Sequence, residues 1–143
     1  MMRGRLLKLK AMTLTLDLDS RKHYLRATVS GAYSLRKAQD VLDDAVKAAL
    51  AIGQTRLLID ASGVTGAPTQ DERYMLGLFM AAEQRILASK TPPIEVQVAV
   101  YGRQPLIDPE RFGETVAVNR GANVKVSERM DEALAWLGVS AGC

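Results

Sequence analysis

The stretch that decides the fold is RLLID (56–60), ASGVTGAPTQ (61–70) and DERYMLGLFMAAEQRIL (71–87). The first piece is a short, nearly continuous apolar run, the pattern of a strand covered by helices on both faces. The second is a loop of small residues and hydroxyls. The third has the apolar spacing of a long helix. In open α/β sheets, ligands and partners bind in such a turn, outside the carboxyl end of a strand. The loop at 61–70 is therefore the expected place for a site.

Working outward toward the amino end, 35–50 places Leu35, Ala38, Val41, Leu42, Ala45, Val46, Ala49 and Leu50 on one helical stripe. Ser34 suits its N-cap and Gly53 its C′ position. Before it, TLTLDLD (13–19) and HYLRATVS (23–30) read as an antiparallel hairpin around the polar turn Ser20-Arg21-Lys22. Toward the carboxyl end, Pro92-Pro93 stops the second helix. IEVQVAVY (94–101) is the next strand, and Pro109 opens a third helix through about Asn119. A short strand (123–126) and a helix (127–137) carrying Ala133, Leu134, Trp136 and Leu137 close the chain. The order β-β-α-β-α-β-α-β-α predicts an α/β fold, with a mostly parallel sheet, an N-terminal antiparallel hairpin and about four helices.

The 143 residues fit one domain. Arg3, Arg5, Lys8 and Lys10 lie in the first eleven residues, which hold no acid. Taking those four from the 19 basic residues leaves 15 against 16 acidic ones, so the net charge of +3 belongs to the leader. Residues 1–11 are read as a basic arm, with a disordered arm preferred over an upstream mis-start or a short extra strand. A single domain then spans 12–143. A nearly neutral body with few aromatic residues argues against nucleic-acid binding. No apolar run approaches the ~20 residues of a membrane span, and a cytoplasmic protein is the simplest expectation. His23 is the only histidine and Cys143 the only cysteine, which leaves little for a metal site built from those ligands.

The segment Ile59-Asp60-Ala61-Ser62-Gly63-Val64-Thr65 resembles the strand-to-loop signature of STAS domains, the superfamily of bacterial anti-sigma-factor antagonists. The resemblance covers nearly all of the chain from Thr13 and implies the same four-helix, mostly parallel layout and a protein-interaction role. In that pattern the loop continues into Asp-Ser, whose Ser is phosphorylated by a partner kinase. Here Pro68-Thr69 stands at the matching positions, so the resemblance makes Thr69 the phospho-acceptor candidate. Asp71-Glu72-Arg73-Tyr74, Pro105-Leu106-Ile107-Asp108-Pro109, Ala117-Val118-Asn119-Arg120-Gly121 and Glu132-Ala133-Leu134-Ala135-Trp136-Leu137 resemble a branch of small, stand-alone, STAS-like bacterial proteins. That narrower resemblance implies a fold and no activity.

Three function classes compete. For an enzyme, nothing places His23 near Ser62 or Thr69, and Gly63-x-x-Gly66 is not a phosphate-binding Walker loop, because no Gly-Lys-Ser/Thr follows. No catalytic constellation and no cofactor are therefore expected. For a small-ligand or anion site, the candidates are Asp60, Ser62, Thr65, Arg73, Arg103 and Arg120, with the amides of the second helix as anion donors. The competing reading is that Thr69 and Glu72 form a Thr-x-x-Glu capping box. For partner binding, the second helix has two apolar stripes. Met75, Leu78, Phe79, Ala82 and Ile86 suit the core. Leu76, Met80 and Leu87 form the second, either buried under the last helix or forming a homodimer or protein-partner face. The reading chosen is a non-enzymatic, self-associating regulatory module.

Overall fold

The computed structural model describes residues 14–140 and, for backbone course alone, residues 5–10. Among the described residues six strands form one sheet whose spatial order follows the chain. They are β1 (Arg5–Lys10), β2 (Leu14–Ser20), β3 (Leu25–Ala32), β4 (Arg56–Thr65), β5 (Gln97–Tyr101) and β6 (Val124–Ser127). Strands β1 to β3 are antiparallel neighbours, and β3 to β6 run parallel. The hairpin and parallel sheet match the expectation. The basic leader differs from the preferred disordered arm: Arg5–Lys10 pairs with β2 as an edge strand.

The helices are α1 (Leu35–Ala51), α2 (Gln70–Ala88), α3 (Phe112–Asn119) and α4 (Met130–Leu137). Right-handed crossovers that all step in one direction across a sheet set their helices on the same face. Accordingly Val41, Ala45 and Ala49 of α1, Ala81 of α2 and Ala117 of α3 share one core with Leu16, Ala27, Leu57, Ile59 and Val98. The helix α4 packs on the opposite face. There Ala133, Leu134 and Leu137 bury Tyr24, Leu58 and Ala99. Ser34 caps α1 by accepting from the Lys37 amide at 3.3 Å, and Gly53 follows its end at a φ of 76°.

The backbones of α2 and α3 approach closely. A β-carbon on Gly77 would lie 2.6 Å from the Gly113 carbonyl oxygen. Small residues let the two backbones touch. As a result α2 rests chiefly on α3, and on α1, rather than on the strands.

Candidate functional site

The expected strand end at Asp60 is not an end. β4 runs ten residues to Thr65, and its pairing with β3 slips by one residue between Thr28↔Asp60 and Ser30↔Gly63. This is a β-bulge, and the residues of the Asp-Ala-Ser-Gly segment build it. Asp60 is 6 % exposed. Its Oδ1 accepts from the Ser62 amide (3.1 Å) and hydroxyl (2.7 Å), and its Oδ2 from Arg26 Nη2 at 2.6 Å. Gly63 allows the close approach, since a β-carbon there would stand 3.2 Å from Ser30 Cβ. Burial alone would raise the Asp60 pKa, but the Ser62 hydrogen bonds and the Arg26 guanidinium outweigh it and hold the carboxyl below its usual range. The bulge also restores phase, so that Val64 packs on the same core as Ile59. Asp60 and Ser62 are thus occupied in shaping the strand. Thr65 is an exposed strand residue whose hydroxyl donates to the Gly31 carbonyl at 3.3 Å.

The loop that remains is only Gly66 to Thr69, with Gly66 at a φ of 86°. Thr69 is the N-cap of α2. Its hydroxyl accepts from the Glu72 amide at 3.1 Å, and the Glu72 carboxylate accepts from the Thr69 amide at 3.0 Å. That is the complete capping box. Thr69 remains exposed.

The three candidate arginines are engaged differently. Arg73 donates to the Leu106 (2.8 Å) and Pro105 (3.0 Å) carbonyls and ties α2 to the segment before α3. Arg103 is exposed. Arg120 stacks over the Tyr74 ring, 5.6 Å from its centroid, and lines a separate depression with Gln84, Glu95 and Asn123. His23 is exposed at the amino end of β3, while Ser62 lies five residues beyond the Leu57 that pairs with Leu25. That separation is roughly 15 Å. Among the described residues no group of three or more His, Cys, Asp or Glu is placed to hold a metal ion.

The two stripes of α2 are largely exchanged relative to the sequence reading, although Leu78 and Phe79 of the expected core stripe remain half-buried. Leu76, Met80 and Leu87, expected as the interface candidates, face inward: Met80 and Leu87 pack on the core, and Leu76 lines the space beneath the helix. From the stripe assigned to the core, Met75 is 46 % and Ile86 60 % exposed, and Ala82 is exposed as well. Both stripes are apolar, so hydrophobicity does not choose between them. The choice is made by Gly77 and Ala81, which are buried and lie beside the Leu76/Met80 stripe. Only that side lets α3 approach.

Two further features carried no sequence signal. Across the α1–α2 contact, Glu83 is half-buried beside Asp43, which pairs with Lys47 at 2.8 Å. Burial, then the hydrogen bond and charge of Asp43, push the Glu83 carboxyl up to about 8. The second is a cleft of about 160 Å³ between α2 and the sheet at the carboxyl ends of the parallel strands. Its wall is apolar, with Tyr33, Arg73, Asp108, Arg111 and Glu114 around it. The Tyr33 hydroxyl is buried, and burial together with the Glu72 charge pushes its pKa up.

The comparison with solved structures bears on this arrangement. An anti-sigma factor antagonist from Mycobacterium paratuberculosis superposes with a TM-score of 0.55 over 91% of this chain and 99% of that one, at 21% identity. The fold is STAS-like. A protein with a SpoIIAA-like fold from Shewanella loihica PV-4 gives a TM-score of 0.47 at 19% identity, covering 92% of this chain and 98% of that one. No family model matches the chain. No curated protein sequence matches it either. No helix among the described residues is long and apolar enough to cross a membrane.

Proposed function

We propose that this chain is a non-enzymatic regulatory module of STAS type, cytoplasmic, which self-associates through the outward face of α2. The observation that carries the reading is the exposure of Met75 and Ile86 on a helix whose other face is already packed. Contiguous apolar residues left in water mark interaction surfaces. Two copies suit this face because its charges are self-complementary. Exposed Asp71 and Arg85 lie equally far on either side of Leu78. Antiparallel pairing of two α2 helices about a two-fold axis at Leu78 sets each Asp71 opposite the partner's Arg85, in the isologous manner of most homodimers. The likeness to an anti-sigma factor antagonist supports the regulatory role, and Thr69 is the residue through which a kinase would control it. Phosphate there would meet the positive end of α2.

Sedimentation equilibrium of the full chain tests the reading. The parent is expected to be dimeric and Ile86→Glu monomeric. Asp71→Arg and Arg85→Asp should each weaken the dimer, and the double exchange should restore it. A parent that stays monomeric at high concentration sinks the self-association. Absence of phosphate on Thr69 after incubation with host lysate and ATP, read by mass spectrometry, sinks the kinase control.

A further inference from the structure

The cleft beneath α2 lies on the other side of that helix from the proposed interface, and the protein-interaction reading makes no use of it. Its volume of about 160 Å³ is close to that of an engineered apolar cavity able to hold benzene. The interior is furnished by Val29, Ile59 and Val100 from the sheet and Leu76 and Met80 from α2. It runs from Tyr33, after β3, to Arg111, before α3, and so passes over three strand spacings, roughly 14 Å. The space is elongated and apolar.

Its polar groups divide into engaged and available ones. Asp108 accepts from the Glu110 and Phe112 amides, each at 3.1 Å, and Glu114 accepts from the Val126 amide. Arg73 spans two carbonyls. Arg111 is different. It is half-buried and lines the cleft, its guanidinium makes no hydrogen bond among the described residues, and it lies within charge range of Glu132. Its backbone is left-handed, with φ 54° and ψ 45°, where L residues are uncommon. At the other end, the Tyr33 hydroxyl is buried, with the Glu72 carboxylate beside it. A half-buried guanidinium with no hydrogen bond, on the edge of an apolar space, suits a ligand with an anionic end. Arg presents a planar fork suited to a carboxylate. A doubly charged phosphate fits less well, because Asp108 and Glu114 stand at the same mouth and would repel it.

We propose that the cleft between α2 and the sheet is a binding site for a small monocarboxylic acid with an extended apolar body, whose carboxylate pairs with Arg111. The body lies across the strands under Leu76 and Met80.

Calorimetry on the full chain with octanoate, 1-octanol and inorganic phosphate tests this. Octanoate is expected to bind more tightly than 1-octanol, and phosphate not to bind. Arg111→Met, which keeps the stem and removes the charge, should weaken octanoate by about tenfold or more, the range of a charge-assisted hydrogen bond, and leave 1-octanol unchanged. Ala38→Leu, which fills the α1 wall, should abolish both without loss of thermal stability. If that variant does not fold, Ala61→Val on the sheet wall replaces it with the same expectation. No octanoate binding, equal binding by Arg111→Met, equal affinity for the alcohol, or binding that survives the filled cleft would each overturn the proposal.

Discussion

Replacing Gly77 by alanine is the most direct probe of how this fold is held. In an ordinary helix the change is favourable, by about 1 kcal/mol of helix propensity. Here the added β-carbon would lie 2.6 Å from the Gly113 carbonyl oxygen and 2.9 Å from Val116 Cβ and Cγ1, whereas ordinary contact begins at 3.4 Å. The nearest atom is backbone, so no rotamer relieves the clash, and α2 and α3 must separate by about 0.5–0.8 Å. A gap of that size forfeits a quarter to a half of each dispersion contact along the seam. Overpacking costs typically run about 1–3 kcal/mol, and this site belongs at the upper end. With the propensity gain subtracted, Gly77→Ala should destabilise by about 2 kcal/mol, a fall of about 6–10 °C in Tm for a chain of this size. Thermal and urea unfolding by circular dichroism read it directly. Gly113→Ala, with a nearest contact of 3.1 Å to the Arg73 carbonyl oxygen, should cost less. A Tm that is unchanged or raised in Gly77→Ala would show that helix propensity outweighs packing, and the account of which face of α2 turns inward would fail with it.

Asp60→Ala removes two hydrogen bonds at the bulge and unpairs Arg26, and should cost about 2–4 kcal/mol in urea unfolding. Because the Asp60 pKa is lowered on folding, its contribution is present above the unfolded carboxyl range and is lost as pH falls through the folded value. Stability below about pH 4 should therefore drop more steeply in the parent than in Asp60→Ala. Glu83 behaves in the opposite sense. Its folded pKa of about 8 lies above the ordinary glutamate value of 4.5, so its contribution is complete at low pH and declines as pH rises between those values. Solvent screening of this half-buried group limits the decline to about 1–2 kcal/mol, and Glu83→Gln should flatten the curve between about pH 5 and pH 9. An identical slope in both proteins would refute the carboxyl–carboxylate contact with Asp43. Thr69→Ala should cost about 1 kcal/mol in thermal unfolding by breaking the capping box, and Thr69→Asp should recover most of it. No loss in Thr69→Ala would place the α2 boundary elsewhere.

The parts of the fold legible in the chain are those set by local rules. The Leu14, Leu16, Leu18 alternation made a half-buried strand. Ser34 and Gly53 bounded α1, and Thr69 with Glu72 closed a capping box, because caps are satisfied by neighbours three residues away. Less legible was the candidate site. The 61–65 segment has loop composition, yet it continues β4, since the Asp60–Ser62 contacts and the close approach of Gly63 to Ser30 exist only when β3 lies alongside. Arg73, Arg103 and Arg120 are spaced as a cationic cluster would allow. Spacing does not show that Arg73 is spent on the Pro105 and Leu106 carbonyls and Arg120 on the Tyr74 ring.

The opening stretch, 56–87, shows where local information stops. The sequence by itself determined that a buried strand, a short turn and a long capped helix follow one another, and that this helix carries apolar residues on two sides. Periodicity states which side chains share a face. It does not say which of two apolar faces meets the core. Tertiary structure decided that, through two small residues: Gly77 and Ala81 admit α3 and turn Leu76, Met80 and Leu87 inward. Met75 and Ile86 are left in water as a consequence, and the helix is held off the sheet over an apolar cleft.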